Sequence, residues 1–563
     1  MRKVLIAMVL IVMFLVPAAG DDPWIVPVDS LIYREIEELY ITSGKVAPFK
    51  EKPVIAESLI QALQQYRNEE KDVDKLKKAE KILGKLRLPS KYISPILETA
   101  LQGFWNSETD RFRYLTGNDS SLLIDYQSMY DNNKIPSLLK FGFIAYYEGF
   151  SLLFEPELRP TLYSLYDNNN YSNLPVQWYY FDFNIPYRGI ATYYKSPLEV
   201  RFGRDKLHLG PSRWSTLTLS QYVPYFDYGK VEYFTNTLSL GLYLVQLNAT
   251  ITAEESQYLE DMHNGLIPNP EENADWAGKA YIDRYKHYAL ARLSLLLAPW
   301  WRLNITQTDL IAGRFPLLSD INPLGVYHNN FAEGVYSVPL SINTSMTPLP
   351  GVNLYIDFLF YDAVLGDEVG ISKNATAMAY QGGLSLISTP YFTLGPGRLR
   401  LDGEVTLTDP WIYGKYYNLR KFTTRIIYEC PAVGRFWVDY PLGFYTGPDT
   451  FDLNLALSYG IPGEWEAELS WNRNGNGSID LYGWGDGTDY SHIGESDAYP
   501  LTGAPTGLVQ WTDKIQCSFY YCPVTNLKLT AWYTLKSVLN RYHVEGDNQI
   551  FHNVGIGAEW KVY

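Results

Sequence analysis

Polar and apolar positions follow two different periods along this chain, and the change falls near residue 100. Before it, apolar residues recur every three to four positions. Asp29-Ser30 can cap a helix with Ile32, Ile36, Leu39 and Tyr40 on one stripe, ended by Ser43-Gly44. Pro53 opens a second helix with Leu59, Ala62, Leu63 and Tyr66 on its apolar face. A third runs from about Asp72 to Leu88, with Leu76, Ala79, Leu83 and Leu86 inward and Pro89 as the stop. Helices this short are marginal alone and need each other or a platform.

After residue 100 the period is two. Leu453, Leu455, Leu457 and Tyr459 alternate with Asp452, Asn454, Ala456 and Ser458. Pro462-Gly463 turns the chain, and Trp465, Ala467, Leu469 and Trp471 then alternate with Glu466, Glu468 and Ser470. Beyond a turn at Gly395-Pro396-Gly397, Leu399, Leu401, Val405 and Leu407 alternate with Arg398, Arg400, Asp402, Glu404 and Thr406. Trp301, Leu303 and Ile305 stand against Arg302, Asn304 and Thr306. At the chain's end Val554, Ile556, Ala558, Trp560 and Val562 share one face, and Gly555, Gly557, Glu559 and Lys561 the other. A greasy face backed by a charged or small one is what a strand needs between lipid and a wet lumen.

Tight connections such as Pro462-Gly463 alternate with long polar ones, Asn248 to Trp276 and Asn472 to Asp497. Short turns on one side and long loops on the other are the outer-membrane arrangement. At roughly 25 residues per strand and connection, residues 100–563 hold about 18 strands. Arg2 and Lys3, the apolar run Val4 to Leu15, and Pro17-Ala-Ala-Gly20 read as a signal peptide cleaved after Gly20. No Cys follows that point, so a lipid-modified N-terminus is not expected. The expectation is therefore a mainly β protein: a signal peptide over 1–20, a periplasmic α-helical domain over 21–100, and a transmembrane outer-membrane β-barrel of about 18 antiparallel strands over 101–563.

Composition agrees. Hydrophobic content is 46% and mean hydropathy −0.17, and after the leader no apolar run approaches the ~20 residues of a spanning helix. Aromatic content of 15%, with 47 Tyr and 15 Trp, suits girdles at two interfaces. Three Cys exclude a disulfide scaffold. A net charge of −15 argues against nucleic acid and requires that any anionic glycan be held by a local cationic site. Seven His, with no His-Glu-x-x-His and no Gly-x-Ser-x-Gly, point to no catalytic motif.

Three stretches carry candidate chemistry. In Leu198 to Ser212, Leu198, Val200 and Phe202 can face lipid while Glu199, Arg201 and Gly203 face the lumen. The alternation then fails at Arg204, Asp205, Lys206 and His208, before Gly210-Pro211. Such a cluster is either a ligand site at the lumen or rim, or an ion-pair group pinning a loop. Asn472, Asn474, Asn476 and Asp480 copy the spacing of a calcium loop, with mostly neutral donors and Gly483 where a Glu belongs. Calcium is thus the one cofactor to consider. Lys71, Lys75, Lys77, Lys78, Lys81, Lys85 and Arg87 crowd the third helix, as a solvated face or as a contact with acidic head groups, peptidoglycan or a glycan.

Gly203-Arg204, Leu209-Gly210-Pro211-Ser212 and Leu217-Thr-Leu-Ser220 resemble the motif of the Wzi-type capsule assembly family. Leu209 stands in place of its Trp and Ser212 in place of its second Gly. Ile36-x-x-Leu39, Ser43-Gly44-Lys45-Val46, Pro48 and Lys52-Pro53 are similar too. The resemblance covers essentially the mature chain. It implies a barrel of about 18 strands with a periplasmic helical bundle, and a lectin-like role in holding exopolysaccharide without catalysis. Gly557-x-x-Trp560-x-Val562 likewise resembles the C-terminal signal read by the barrel-insertion machinery. A porin or substrate-specific channel, with the helices as plug or tether, is the alternative, and an outer-membrane enzyme the third reading.

Overall fold

The computed structural model describes residues 24–87, 93–108, 112–114, 122–124, 135–165, 169–251, 256–257, 260–261, 285–327, 335–362, 377–388, 397–410, 412–413, 421–479, 481, 504–524 and 526–562. The signal peptide expected over 1–20, and Gly395-Pro396 of the expected turn, lie outside them.

Eighteen antiparallel strands close into one barrel. Gln549–Val562 pairs with Leu527–Leu539 on one side and with Ile93–Asn106 on the other, so the last strand seals against the first. Closure leaves no unpaired edge, which a sheet in lipid requires. The barrel therefore begins at Ile93, ahead of the expected boundary at 101. The alternation Ser94, Ile96, Glu98 and Ala100 buried against Ile93, Leu97 and Leu101 exposed already has a period of two.

The side-chain alternation is the one expected for a membrane barrel. Leu401, Val405 and Leu407 are exposed on the outer face, while Arg400, Asp402, Glu404 and Thr406 are buried inside. Leu455 and Leu457 against Asp452 and Asn454, and Ile556 and Trp560 at the seal, repeat the pattern. Connections such as 196–197, 235–237, 299–300, 350–351 and 462–464 are tight, and all lie at one end. Most of the longer connections lie at the other, where Thr423–Cys430 and Gly434–Pro441 form a separate hairpin. The exception, 388–397, lies at the tight-turn end.

The N-terminal residues form three helices: α1 (Leu31–Ile41), α2 (Ala56–Glu69) and α3 (Val73–Leu86). Ser30 caps α1 by accepting from the Ile32 N–H, and Asp72 caps α3 through Asp74 and Lys75. Ile36, Leu39, Leu59, Leu63, Tyr66, Ala79, Leu83 and Leu86 make their shared core. The bundle sits in the tight-turn mouth of the barrel. Val46 N–H donates to Pro299 O at 3.0 Å, and Gly351 N–H to Ile41 O at 2.8 Å.

Since long loops face outward in bacterial barrels, a peptide tag inserted at Gly434, where a side chain would meet nothing within 4 Å, should be labelled on intact cells. The same tag at Asn236 should be labelled only after permeabilisation. The reverse pattern would invert the topology.

Candidate functional site

A lumen-facing charge on a spanning strand is far from bulk water and needs a partner. Here many of the partners come from the N-terminal segment. Arg34 Nη2 meets Glu466 at 3.0 Å, Glu37 meets Arg400 Nη2 at 3.0 Å, and Glu38 meets Arg398 Nε at 3.3 Å. Lys230 Nζ, 1% exposed, lies 2.6 Å from Glu51, 2.8 Å from Glu199 and 2.5 Å from Glu232. The hydroxyl of Tyr243 also donates to Glu51. Three strand arginines donate to plug carbonyls: Arg201 to Pro53 O at 2.8 Å, Arg292 to Lys50 O at 3.1 Å, and Arg302 to Ala47 O at 2.7 Å. The segment is thus bolted to much of the barrel wall. Burial alone would push the Glu51 carboxyl up, but Lys230 and Lys50 hold it below the ordinary carboxylate range.

A second obstruction descends from the other side of the membrane. The connection between Leu198–Asp205 and Phe226–Phe234 folds into the lumen, with Leu207, Leu209, Leu217, Leu219 and Val223 all nearly fully buried. It reaches the plug itself: His208 N–H donates to Lys52 O at 2.9 Å, and Lys52 N–H to His208 O at 3.0 Å. Ser212 Oγ donates to Glu404 at 2.6 Å, and Arg213 pairs with Asp402 and with Glu468 at 2.5 Å. Gln381 Nε2 donates to Ser215 O at 2.7 Å, and Ser220 N–H to Leu442 O at 2.7 Å.

Of the four residues expected to form one site, Arg204 is set apart from the other three. Arg204 lies on the outer face, where its guanidinium grips Asp227 at 2.7 Å through both Nε and Nη2. It also lies 3.8 Å from the ring centre of Tyr225 and 4.6 Å from that of Tyr187. Asp205 points inward and is held by Arg188 at 2.7 and 2.9 Å. His208 is buried, and its Nε2 donates to Ser212 O at 2.9 Å. Asp205, Lys206 and His208 all line the lumenal cavity, as does Asp29, and Arg204 does not. The reason for the split is the pleat: neighbours in a strand take opposite faces, so Arg204 and Asp205 cannot share one site.

Period two also corrects the calcium reading. Asn472, Asn474 and Asn476 belong to the strand Trp465–Asn476, not to a loop, and all three face the lumen side. Asn472 and Asn474 each donate an amide N–H to Asp452 at 2.9 Å, which makes a side-chain ladder. Asn476 accepts from Thr450 at 3.3 Å, and Asp480 lies outside the described residues. The lysine run of α3 is largely internal wiring: Lys85 pairs with Glu35 at 2.7 Å, Lys78 with Glu38 at 3.6 Å, and Lys81 with Glu464 at the 462–464 turn.

Between the plug, the inward loop and one stretch of wall remains a cavity of about 710 Å³, lined by thirteen Lys and Arg against eight Asp and Glu. In a chain of net charge −15 this is a local reversal of sign. Neither Glu51, Lys230 nor the inward loop was identifiable as functional from the residues alone. The leucine alternation at 207, 209, 217 and 219 was the available signal that this connection is not a solvated one.

These features define a closed 18-stranded barrel of the outer-membrane type, with its lumen occupied by its own chain. No family model matches the sequence, and no curated protein matches it. Among solved structures it is similar to Wzi of Escherichia coli, an outer membrane protein involved in group 1 capsule assembly and described as a carbohydrate-binding β-barrel. Identity is 11% over 95% of this chain and 98% of that one, with a TM-score of 0.55. It also aligns with OpdQ of Pseudomonas aeruginosa (11% identity, 84% of this chain, 97% of that one, TM-score 0.38) and with the outer membrane channel DcaP of Acinetobacter baumannii (10%, 84%, 97%, 0.32). The first likeness is one of fold; the other two are too loose to argue from.

Two outcomes test the site's wiring. Arg204→Ala should lower stability by about 1 kcal/mol, the scale of a half-exposed ion pair and cation–π contact, and leave the amount of folded barrel in the outer membrane unchanged. His208 is pushed down to about 3 by burial and by the nearby Lys52 ammonium, whereas the unfolded imidazole protonates below about 6.5. The unfolded state therefore binds more protons between those values. Stability is full above pH 6.5 and declines as pH falls through that window. Thermal unfolding of His208→Gln should show a shallower decline between pH 6.5 and 4 than the wild type.

Proposed function

We propose that this protein is a non-catalytic outer-membrane barrel that binds and holds a surface polysaccharide. The observation that carries the reading is the occupied lumen. The N-terminal bundle and the 206–225 connection meet inside it, and buried ion pairs lock both to the wall. A diffusion pore needs a continuous water path, and a charge-bolted plug opposes one. The fold shared with a carbohydrate-binding barrel, and the partial motif around Gly203-Arg204 and Gly210-Pro211, support the glycan as cargo. In this reading the tight turns and the bundle face the periplasm and the long loops face outward. The partners are membrane lipid, the polysaccharide and, during biogenesis, the barrel-insertion machinery; nucleic acid is not among them.

Reconstituted wild-type protein should conduct at or near baseline in planar bilayers. Cells lacking it should shed surface polysaccharide into the medium and recover on complementation. Lys230→Ala deprives Glu51 of its ammonium partner. Breaking such a buried pair costs about 3–5 kcal/mol, so conductance should rise while heat-modifiable migration stays normal. A wild-type protein that conducts steadily, with polysaccharide retention independent of it, would replace this reading with a substrate channel.

A further inference from the structure

The lumen wall is not uniform. Around most of the barrel, inward polar groups are consumed by the plug or by the 206–225 connection. The wall built by Gln510–Val524, Leu527–Leu539, Gln549–Val562 and Ile93–Asn106 is different. It borders a second cavity of about 300 Å³, which shares Ile135, Pro136, Lys528 and Glu559 with the larger one.

Strand register arranges this wall in rungs. One rung runs Ser518, Trp532, Gly555, Phe104 and Tyr171 across five paired strand segments. The Phe104 and Tyr171 rings stack at 4.8 Å between centres and 20°, and Trp532 approaches Phe104 at 6.3 Å. Gly555 is required here. A Cβ at that position would lie 2.2 Å from the Trp532 indole and 2.7 Å from Phe104 Cβ, so the missing side chain lets the indole lie across the sheet. The next rung toward the long loops reads Gln516, Thr534, Asn553 and Asn106, and the next toward the tight turns reads Tyr520, Thr530, Gly557 and Gln102. Rungs on one face are about 6.8 Å apart, twice the rise per residue.

The side chains of Gln102, Gln516, Ser518 and Thr530 have no hydrogen-bond partner among the described residues. The charges at the two ends are, by contrast, paired: Lys536 with Glu108 at 3.1 Å, and Lys528 with Glu559 at 2.9 Å. An aromatic band between rungs of uncommitted neutral amides and hydroxyls, with the ends closed by ion pairs, matches one ligand chemistry well. A pyranose ring has a C–H face, which an electron-rich aromatic face attracts, and a hydroxyl rim, which amides and hydroxyls bind as both donors and acceptors. An acidic ligand would find its cations already occupied.

We propose that this wall is a lumenal binding groove for a neutral stretch of carbohydrate, with Trp532 as the stacking platform and Gln516, Gln102 and Thr530 reading the hydroxyls. The inference rests on the polysaccharide-holding function proposed above and adds where inside the barrel the chain is gripped and what character it has.

Purified full-length protein in detergent would be titrated by calorimetry with neutral hexasaccharides of glucose, galactose, mannose and N-acetylglucosamine, and with an oligogalacturonate of equal length. At least one neutral probe should bind, and more tightly than the acidic one. Trp532→Ala should weaken it about tenfold, Trp532→Phe less, and Gln516→Ala several-fold, with heat-modifiable migration confirming that each variant is folded. Wild-type-like binding by folded Trp532→Ala and Gln516→Ala would overturn the groove and leave the broader reading standing. Preference for the acidic probe, or no binding of any neutral one, would also overturn it. Polysaccharide retention by intact cells then decides the broader reading separately.

Discussion

Lipid on the outside of the barrel governs everything within it. Across the middle of the membrane each strand shows lipid apolar side chains, so most of the strands' charges are directed inward. An outward one near a strand end, such as Arg204, is paired on the spot with Asp227. Once inward, a charge is dehydrated enough to need a counter-charge or donor. Glu199, Lys230, Glu232, Arg292, Arg400, Asp402 and Glu404 are all buried on the lumen side, and a barrel of this width cannot neutralise them all across open space. The chain's own N-terminus and the 206–225 connection supply what is missing. Plug and barrel are in this sense one electrostatic unit: the lumen charges that make the strands amphipathic also fasten the plug.

This unity bears on function. A plug held by one or two contacts would be a gate. Here the contacts reach from Arg201 and Lys230 around to Arg400 and Glu466, and several are between fully buried groups. Their removal together would leave many buried charges uncompensated, which favours a permanently seated plug. The wall around Trp532 differs: charges such as Lys536 and Lys528 sit at its two ends in pairs of their own, and neutral amides and aromatic rings line the cavity between them. Rigid closure on one side and uncommitted polar surface on the other accord with the proposed holding of a polysaccharide.

Much of the architecture was legible in the residues. The helix cap at Ser30, the third helix starting near Asp72, the seal strand with Ile556 and Trp560 outward, the hairpin turning at Pro462-Gly463 and the number of strands all follow from local period and turn chemistry, and the structure carries each of them. The first barrel strand was misplaced by eight residues because Pro95 interrupts what otherwise alternates from Ile93 onward. The candidate site fared differently. Arg204, Asp205, Lys206 and His208 are adjacent in the chain, and adjacency suggested a cluster. The pleat sends Arg204 outward to Asp227, and the loop's inward fold sends His208 to Ser212 and the plug backbone.

The sequence by itself determined which face of each strand meets lipid, since apolar alternation at period two admits only one solution in a membrane. It also determined that three short amphipathic helices precede the barrel and need a platform. Only the tertiary structure decided that the platform is the lumen, that Glu51 answers Lys230 across 179 residues, and that Trp532, Gly555 and Phe104 fall on one rung. Those relations depend on barrel closure and inter-strand register. Both are set by pairing between segments hundreds of residues apart, and no local pattern of residues encodes them.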